Sequence, residues 1–368
     1  MRRETARFWP GVVAASIGLI AGCSEQSAAT SARQANAYRD DTFALPPAAE
    51  RVTLAGEQLP KPYYLPHKKR AGPLYLDLRG ARFFLNNSKN KDPNPALRCD
   101  QGSLPVNSYP LNIFSAAQVS IVGGVINGSV PQQSDWNSSY CNSAAVNFKN
   151  SPNGAVDGIR IARAWDGVRI GPNSDNFRLT NAWLSNIRDD AIENDHLFSG
   201  HIEDSLIDGT LQGISLRPNA KSTIGASTGI VVIEGSLIRL HEYPYKGRPS
   251  SGSLAKADAR SPRLRIANSV VAIDSPNDRR WAGSWAVMAP KMEASNNLLL
   301  WLSDSEMPPG LPVSDAGFRL LKGAEARSAW AAAKRNWVNC HPKVGRVAGD
   351  PKSDFQKCVS QTWGGFSD

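Results

Sequence analysis

Seven eight-residue stretches along the chain share one pattern, and that pattern limits the fold more than any other feature. They are VSIVGGVI from Val119, IRIARAWD from Ile159, FRLTNAWL from Phe177, GHIEDSLI from Gly200, VVIEGSLI from Val231, LRIANSVV from Leu264 and MEASNNLL from Met292. The third residue is aliphatic in six of the seven, and the sixth is always small or Asn. The fifth is Gly, Asn or Asp in six, Arg163 being the exception. Such a pattern reads as a short strand, a tight bend where Gly, Asn or Asp tolerates left-handed backbone, and a second short strand. The starts lie 40, 18, 23, 31, 33 and 28 residues apart, and the first gap has room for one further degenerate coil. Constant strands with variable connections suit a parallel solenoid whose loops project from fixed rungs. A leucine-rich horseshoe would need a regular period, and a propeller a period of about 40–45. Neither is present.

The expected fold is therefore all-β, a single right-handed parallel β-helix over about residues 73–305. Its hand follows from that of parallel crossover connections. Ile121, Leu179, Ile202, Ile233 and Ile266 should stack in one interior column. Residues 24–72 divide into a polar tether, Ser24 to Ala37, and a Pro-dotted extension that lies on the first coil or caps it. Residues 306–368 form a C-terminal cap segment, with the main helix signal in the Ala-rich run from Lys322 to Val338.

Residues 1–23 give an address. Arg2, Arg3 and Arg7 precede an apolar run from Gly11 to Ile20, which is too short for a membrane span of ~20 residues. It ends in Ile20-Ala21-Gly22-Cys23, which resembles the lipobox of bacterial lipoproteins. The resemblance implies cleavage before Cys23, lipidation of that residue and attachment to a membrane. With Ser24 next, it implies the outer membrane of a bacterial envelope. Cys99, Cys141, Cys340 and Cys358 then remain, with three possible pairings. Proximity in sequence favours disulfides Cys99–Cys141 and Cys340–Cys358. No CxxC or HxxxH spacing points to a metal. The net charge is +9, or +7 without the signal, which suits an acidic polysaccharide or a membrane surface as partner. Ordinary solubility charge explains it equally well. Nucleic acid is not an expected partner outside the cytoplasm, and a monomer is expected.

Three segments carry the chemistry: Asp166-Gly167-Val168-Arg169-Ile170, Asp189-Asp190-Ala191-Ile192-Glu193 and Gln212-Gly213-Ile214-Ser215-Leu216. Aligned on their small second or third residue, they place Asp166, Asp190 and Gln212 in one column, 24 and 22 residues apart. Adjacent rungs are separated by ~4.8 Å, so two carboxylates meet on one wall with Asp189 beside them. Period-two alternation turns Val168, Ile192 and Ile214 inward, followed by Ile170, Asn194 and Leu216. Arg169 and Glu193 then face out as a surface ion pair of little worth, which makes Glu193 structural.

The run from Arg188 to Ile192, followed by Gln212 to Leu216, resembles the polygalacturonase family of inverting glycoside hydrolases. Over about Trp165 to Arg248, Asp166-Gly167 falls where that family has Asn-Thr-Asp-Gly, and Asp189 and Asp190 match its acidic pair. Gln212 stands where it has histidine, and Lys246-Gly247-Arg248 lies near its Arg-Ile-Lys. The resemblance implies Asp190 as general acid, with Asp166 and Asp189 activating water. It also implies that Lys246, Arg248 or Arg217 holds a uronate carboxylate, with Gln212 bonding sugar or Asp.

Two other classes stay open. A polysaccharide lyase would use Arg217 or Lys221 as base, with Ca²⁺ held by Asp189, Asp190, Glu193 and Asp195. A non-catalytic carbohydrate-binding envelope scaffold would need the aspartates only as turn caps. His196 and His201 read as surface histidines. Trp136, Trp165, Trp183 and Trp281 could stack on sugars, but Trp165 and Trp183 share an apolar repeat position and read as core.

Overall fold

The third residues of the repeat stack one above the next. Leu76, Ile121, Val156, Leu179, Ile202, Ile233, Ile266 and Ala294 pair in parallel register from coil to coil. A second column runs Ile126, Ile161, Leu184, Ile207, Ile238, Val271, Leu299 and Leu320. A third runs Leu111, Val146, Val168, Ile192, Ile214 and Ala255. All three columns enter one continuous apolar core. The chain is thus a parallel β-helix with three walls. The computed structural model describes residues 50–57, 63–64, 72–85, 109–136, 143–220, 222, 228–250, 252–274, 280–307, 309, 311, 317–341 and 344. Cys23, Cys99, Cys141, Cys358 and Lys221 lie outside the described residues.

One stretch sits differently from its expected alignment. Val156, not Ile161, fills the first column in its coil, so the true repeat there starts at Gly154 rather than Ile159. The first two spacings become 35 and 23 residues, and the long gap holds an insertion instead of an extra coil. Gly158 then takes the bend position and removes the Arg163 exception. The solenoid also begins earlier than expected, because Glu50–Glu57 pairs in parallel with Leu74–Leu85. Its last strand, Phe318–Lys322, extends the second wall past residue 305.

The bend between the first and second walls repeats for a physical reason. Gly123, Gly158, Asn181, Asp204, Gly235, Asn268 and Asn296 all have φ between 41° and 68°. Only Gly, or Asn and Asp with short polar side chains, adopts that backbone readily. From Gly123 to Asn268, each bend N–H then reaches a carbonyl of the next coil, as from Asn181 to Glu203 and from Gly235 to Ala267. The small residue that follows closes a buried ladder. Ala182 N donates to Ser205 Oγ at 3.2 Å, Ser205 N to Ser236 Oγ at 3.2 Å, and Ser236 N to Ser269 Oγ at 3.1 Å. Ser269 N ends the series on Asn297 Oδ1 at 3.0 Å.

Two α-helices complete the described residues. Helix α1, Arg280–Met288, has no counterpart in the sequence reading. It packs beside Ala255–Ala257, where the third wall ends, and puts Trp285 and Met288 into the core in place of further rungs. Helix α2, Gly323–Cys340, matches the Ala-rich signal. Its Ala326, Trp330 and Trp337 bury against Leu206, Leu237, Val270 and Leu298, on the outward side of the second wall. Trp183 is therefore not interior: it lies half-buried under α2, edge-on to Trp337 at 6.3 Å.

The serine ladder should be measurable. Ser236→Ala strands the buried Ser205 N–H, and a buried unpaired donor costs about 1–3 kcal/mol. Urea unfolding of the variant should show that loss. A change below a few tenths of a kcal/mol would mean the ladder contributes no stability.

Candidate functional site

The expected column forms. Val168 pairs with Ile192, and Asp190 with Gln212, so Asp166, Asp190 and Gln212 follow one another on the third wall. The small residue common to the three segments marks where rungs touch. A Cβ on Gly167 would lie 2.4 Å from Ala191 O, and one on Gly213 would lie 2.5 Å from Leu254 O.

A local irregularity does the rest. Ile187 pairs with Thr210 and Asp190 with Gln212, so Arg188 and Asp189 together oppose Leu211. This is a β-bulge, which re-aims side chains and breaks strict alternation. It lets Asp189 join its neighbour, and oxygens of Asp166, Asp189 and Asp190 lie within 4.8 Å of one another.

The cluster converges but is mostly closed to solvent. Asp166 is 1 % exposed and Asp190 2 %, against 9 % for Asp189. Asp166 takes the Asp190 N–H on one oxygen at 3.2 Å and Arg169 Nη2 on the other at 2.8 Å. Asp190 accepts from Lys256 Nζ at 2.9 Å, and its second oxygen has no partner among the described residues. Arg169 also pairs with Glu193 and donates to Tyr109 Oη at 2.5 Å. The Arg169–Glu193 pair is accordingly not a surface bridge: its side chains are 13 % and 17 % exposed.

Four carboxyls thus crowd around two close cations, and the charge is shared unevenly. Burial, reinforced by Glu193, holds the Asp166 carboxyl well above its ordinary range. Burial does the same to Asp190, with Lys256 opposing and Asp189 adding repulsion. Asp189 is raised by burial, again against Lys256. For Glu193 burial works upward, but Arg169 and a hydrogen bond with Asp166 overcome it and leave the carboxyl low. Lys256 stays charged despite its burial, because Asp190 and Asp189 flank it. The three aspartates could each lend an oxygen to one cation, while Arg169 and Lys256 already bring positive charge to the cluster.

A cleft of about 320 Å³ opens beside the cluster. Asp189 lines it, and Asp166 and Asp190 do not. Trp136 and Tyr245 face it as aromatic walls, 5.6 Å apart, and Arg217, Lys256 and Gln212 line it as polar groups. Gln212 Oε1 is held by Ser253 N at 2.8 Å and Ser253 Oγ at 3.0 Å. Lys246 and Arg248 are exposed on the hairpin formed by Tyr243–Tyr245 and Arg248–Ser250, outside the cleft lining.

Several sequence readings need correction. Trp165 is wholly buried, as expected, but packs 5.3 Å from Trp136 and not within either large apolar cluster. His196 is buried against Phe198, and that burial holds its imidazole below the ordinary range. His201 is exposed, as expected. Asp195 accepts from Ser215 Oγ and Asn219 Nδ2, and it does not belong to the close carboxylate group. Lys256 was missed because Ala255–Ala257 is a three-residue strand 41 positions beyond the Gln212 rung by its pairing with Ile214–Leu216. The inward–outward alternation of Leu216 with Ala257, and of Ser215 with Lys256, was the available signal.

No protein-family model, curated protein or solved structure matches this chain.

The raised carboxyls set a pH dependence of stability. Asp166, Asp189 and Asp190 hold protons more tightly in the folded chain than in the unfolded one, where Asp titrates near ~3.9. Their contribution is fully present below that value and is lost as pH rises through the folded values. Glu193, Asp77 and Asp274 act oppositely, but their contribution is already complete above the ordinary carboxylate range; His196, held low by burial, adds stability as pH rises through ~6.5, one group against three. Denaturant unfolding should therefore give a lower free energy at about pH 8 than at about pH 5. Asp166→Asn should flatten the slope. A stability that rises over this interval would contradict the protonated cluster.

Proposed function

We propose that the cleft is the working site of a carbohydrate-active protein that cleaves an acidic polysaccharide, with Asp189 as the proton donor. One observation carries this reading: of three carboxyls gathered by adjacent rungs, Asp189 alone lines the cleft, and its carboxyl is raised. A carboxyl that holds its proton above the ordinary Asp range is suited to give that proton to a glycosidic oxygen. Trp136 and Tyr245 offer apolar faces for sugar rings. Arg217 is exposed at the cleft and has a planar fork that suits a uronate carboxylate. Gln212, with its oxygen already held by Ser253, keeps amide N–H groups for a hydroxyl.

The resemblance to polygalacturonases supports the substrate class, though the roles shift. Inverting hydrolysis needs acid and base roughly 6.5–9.5 Å apart, with water between them. Asp166 and Asp190 approach more closely and are sealed from the cleft, so the acid is assigned to Asp189 and not to Asp190. The proton goes from Asp189 to the leaving oxygen; water gives its hydroxyl to the anomeric carbon and its remaining proton to solvent, from which the Asp189 carboxylate is reprotonated. Anchorage at Cys23 would hold this site at the bacterial envelope.

β-Elimination is the second reading, favoured because no second carboxylate lines the cleft among the described residues. There Lys256 and Arg217 would neutralise the uronate. Lys256, held charged by Asp190 and Asp189, is a poor base. A Ca²⁺-dependent form would draw on Asp166, Asp189 and Asp190.

The test is turnover of polygalacturonate, alginate and hyaluronan by the full chain and by Asp189→Asn. The variant should lose about 10²–10⁴-fold in kcat with KM little changed. New reducing ends without ultraviolet absorbance of an unsaturated uronide mean hydrolysis, and with it elimination. Full turnover by the variant would sink the assignment. Binding of a polysaccharide with no cleavage by the wild type would favour a non-catalytic envelope protein.

A further inference from the structure

Arg188 is wholly buried, and nothing in the proton chemistry uses it. It enters through the same bulge as Asp189, opposite Leu211. Its guanidinium stands 4.9 Å from the Tyr243 ring and 6.0 Å from that of Trp165. Nη2 donates to Ser134 O at 3.0 Å and to Pro244 O at 2.5 Å. Nε and Nη1 find no acceptor among the described residues, and burial lowers the pKa of the guanidinium. A buried cation with unused donors is costly, so its two carbonyl contacts call for a structural reason.

Those two carbonyls belong to separate insertions. Ser134 precedes Asp135 and Trp136 in the connection that follows the strand Val125–Gly128. Pro244 lies in the hairpin that carries Tyr245. The insertions also meet directly, where Gly247 N donates to Asp135 Oδ2 at 2.8 Å. Trp136 packs between Trp165 and Tyr245, and it bonds to the Asp189 carboxyl. The aromatic walls of the cleft therefore converge on one guanidinium, adjacent in sequence to the cleft carboxyl.

We propose that Arg188 is a positioning residue: it fastens the 131–136 connection to the 243–250 hairpin, so that Trp136 and Tyr245 stand as a preformed sugar-binding platform beside Asp189. The platform's chemistry rests on the function proposed above, whereas the fastening stands on contacts that need no substrate. Arginine suits the task because its planar fork can reach two carbonyls while its faces lie against rings. Lysine keeps the charge but offers neither the fork nor the flat faces.

The test compares Arg188→Lys, Arg188→Met and Asp135→Ala with the wild-type chain. Asp135→Ala breaks the direct contact between the insertions and leaves the buried cation in place. Hydrogen–deuterium exchange, measured without ligand, should quicken about tenfold in 131–136 and 243–250 in Arg188→Met. It should quicken less in Arg188→Lys and Asp135→Ala, with the strand Asp166–Ile170 unchanged in all three. With polygalacturonate or alginate as probe, KM or the dissociation constant should rise about tenfold, with kcat within about twofold. That split is the reverse of the one expected for Asp189→Asn. Unchanged exchange in both segments, or a uniform rise along the whole solenoid, would overturn the proposal. If the wild type binds none of polygalacturonate, alginate and hyaluronan, the proposed function fails, and the exchange result still decides the role of Arg188.

Discussion

In a parallel solenoid each residue's closest neighbours stand one coil away in sequence, and in-register pairing fixes which residues those are. Slipping one strand by a single residue would turn an interior column outward. That constraint explains the uniform left-handed bends and the buried serine ladder, both of which lock register at the corner between the first two walls. It also explains how Asp166 and Asp190, 24 positions apart, come to share a site. Register alone does not aim Asp189. The bulge at Arg188 and Asp189 breaks the alternation once, and at that point the wall gains both its cleft carboxyl and the arginine beneath the aromatic walls.

Gathering carboxylates in this way would be unfavourable without compensation, since burial penalises each charge and the charges repel. Arg169 supplies one cation from the strand that carries Asp166, and Lys256 supplies another from a later rung of the same wall. Four carboxyls and two close cations leave an excess that protons satisfy, and the raised Asp166 and Asp190 are the physical expression of that excess. Asp189 differs in position more than in chemistry. Its place at the cleft edge leaves it in reach of the cleft, while its two partners stay buried behind it.

Much of the fold was legible because the bend column has strict backbone demands. Gly, Asn and Asp mark it, and aliphatic residues two positions earlier mark the interior. The pattern misled at Ile159 because its stretch also carries an interior isoleucine at the third place, Ile161, which belongs to the second wall. The Asp166–Asp190–Gln212 column was legible for the same reason of periodicity. Burial of that column was not, because periodicity shows which side chains stack and not that Arg169 and Lys256 bind the carboxyls. Lys256 escaped notice on a three-residue strand, and Trp183 looked interior because apolar periodicity cannot distinguish a core from an outer face covered by another segment. Helix α1 is a short apolar run, RWAGSWAVM, that substitutes for rungs only because the third wall ends beside it.

The central claim is that Asp166, Asp189 and Asp190 titrate as one coupled, protonated group. Carbon-13 NMR of labelled aspartate carboxyls across a pH series, assigned with single Asn substitutions, tests it most directly. The account predicts three signals that titrate above the ordinary Asp range and move when either neighbour is replaced. Three independent signals titrating at ordinary Asp values, indifferent to one another's replacement, would contradict it.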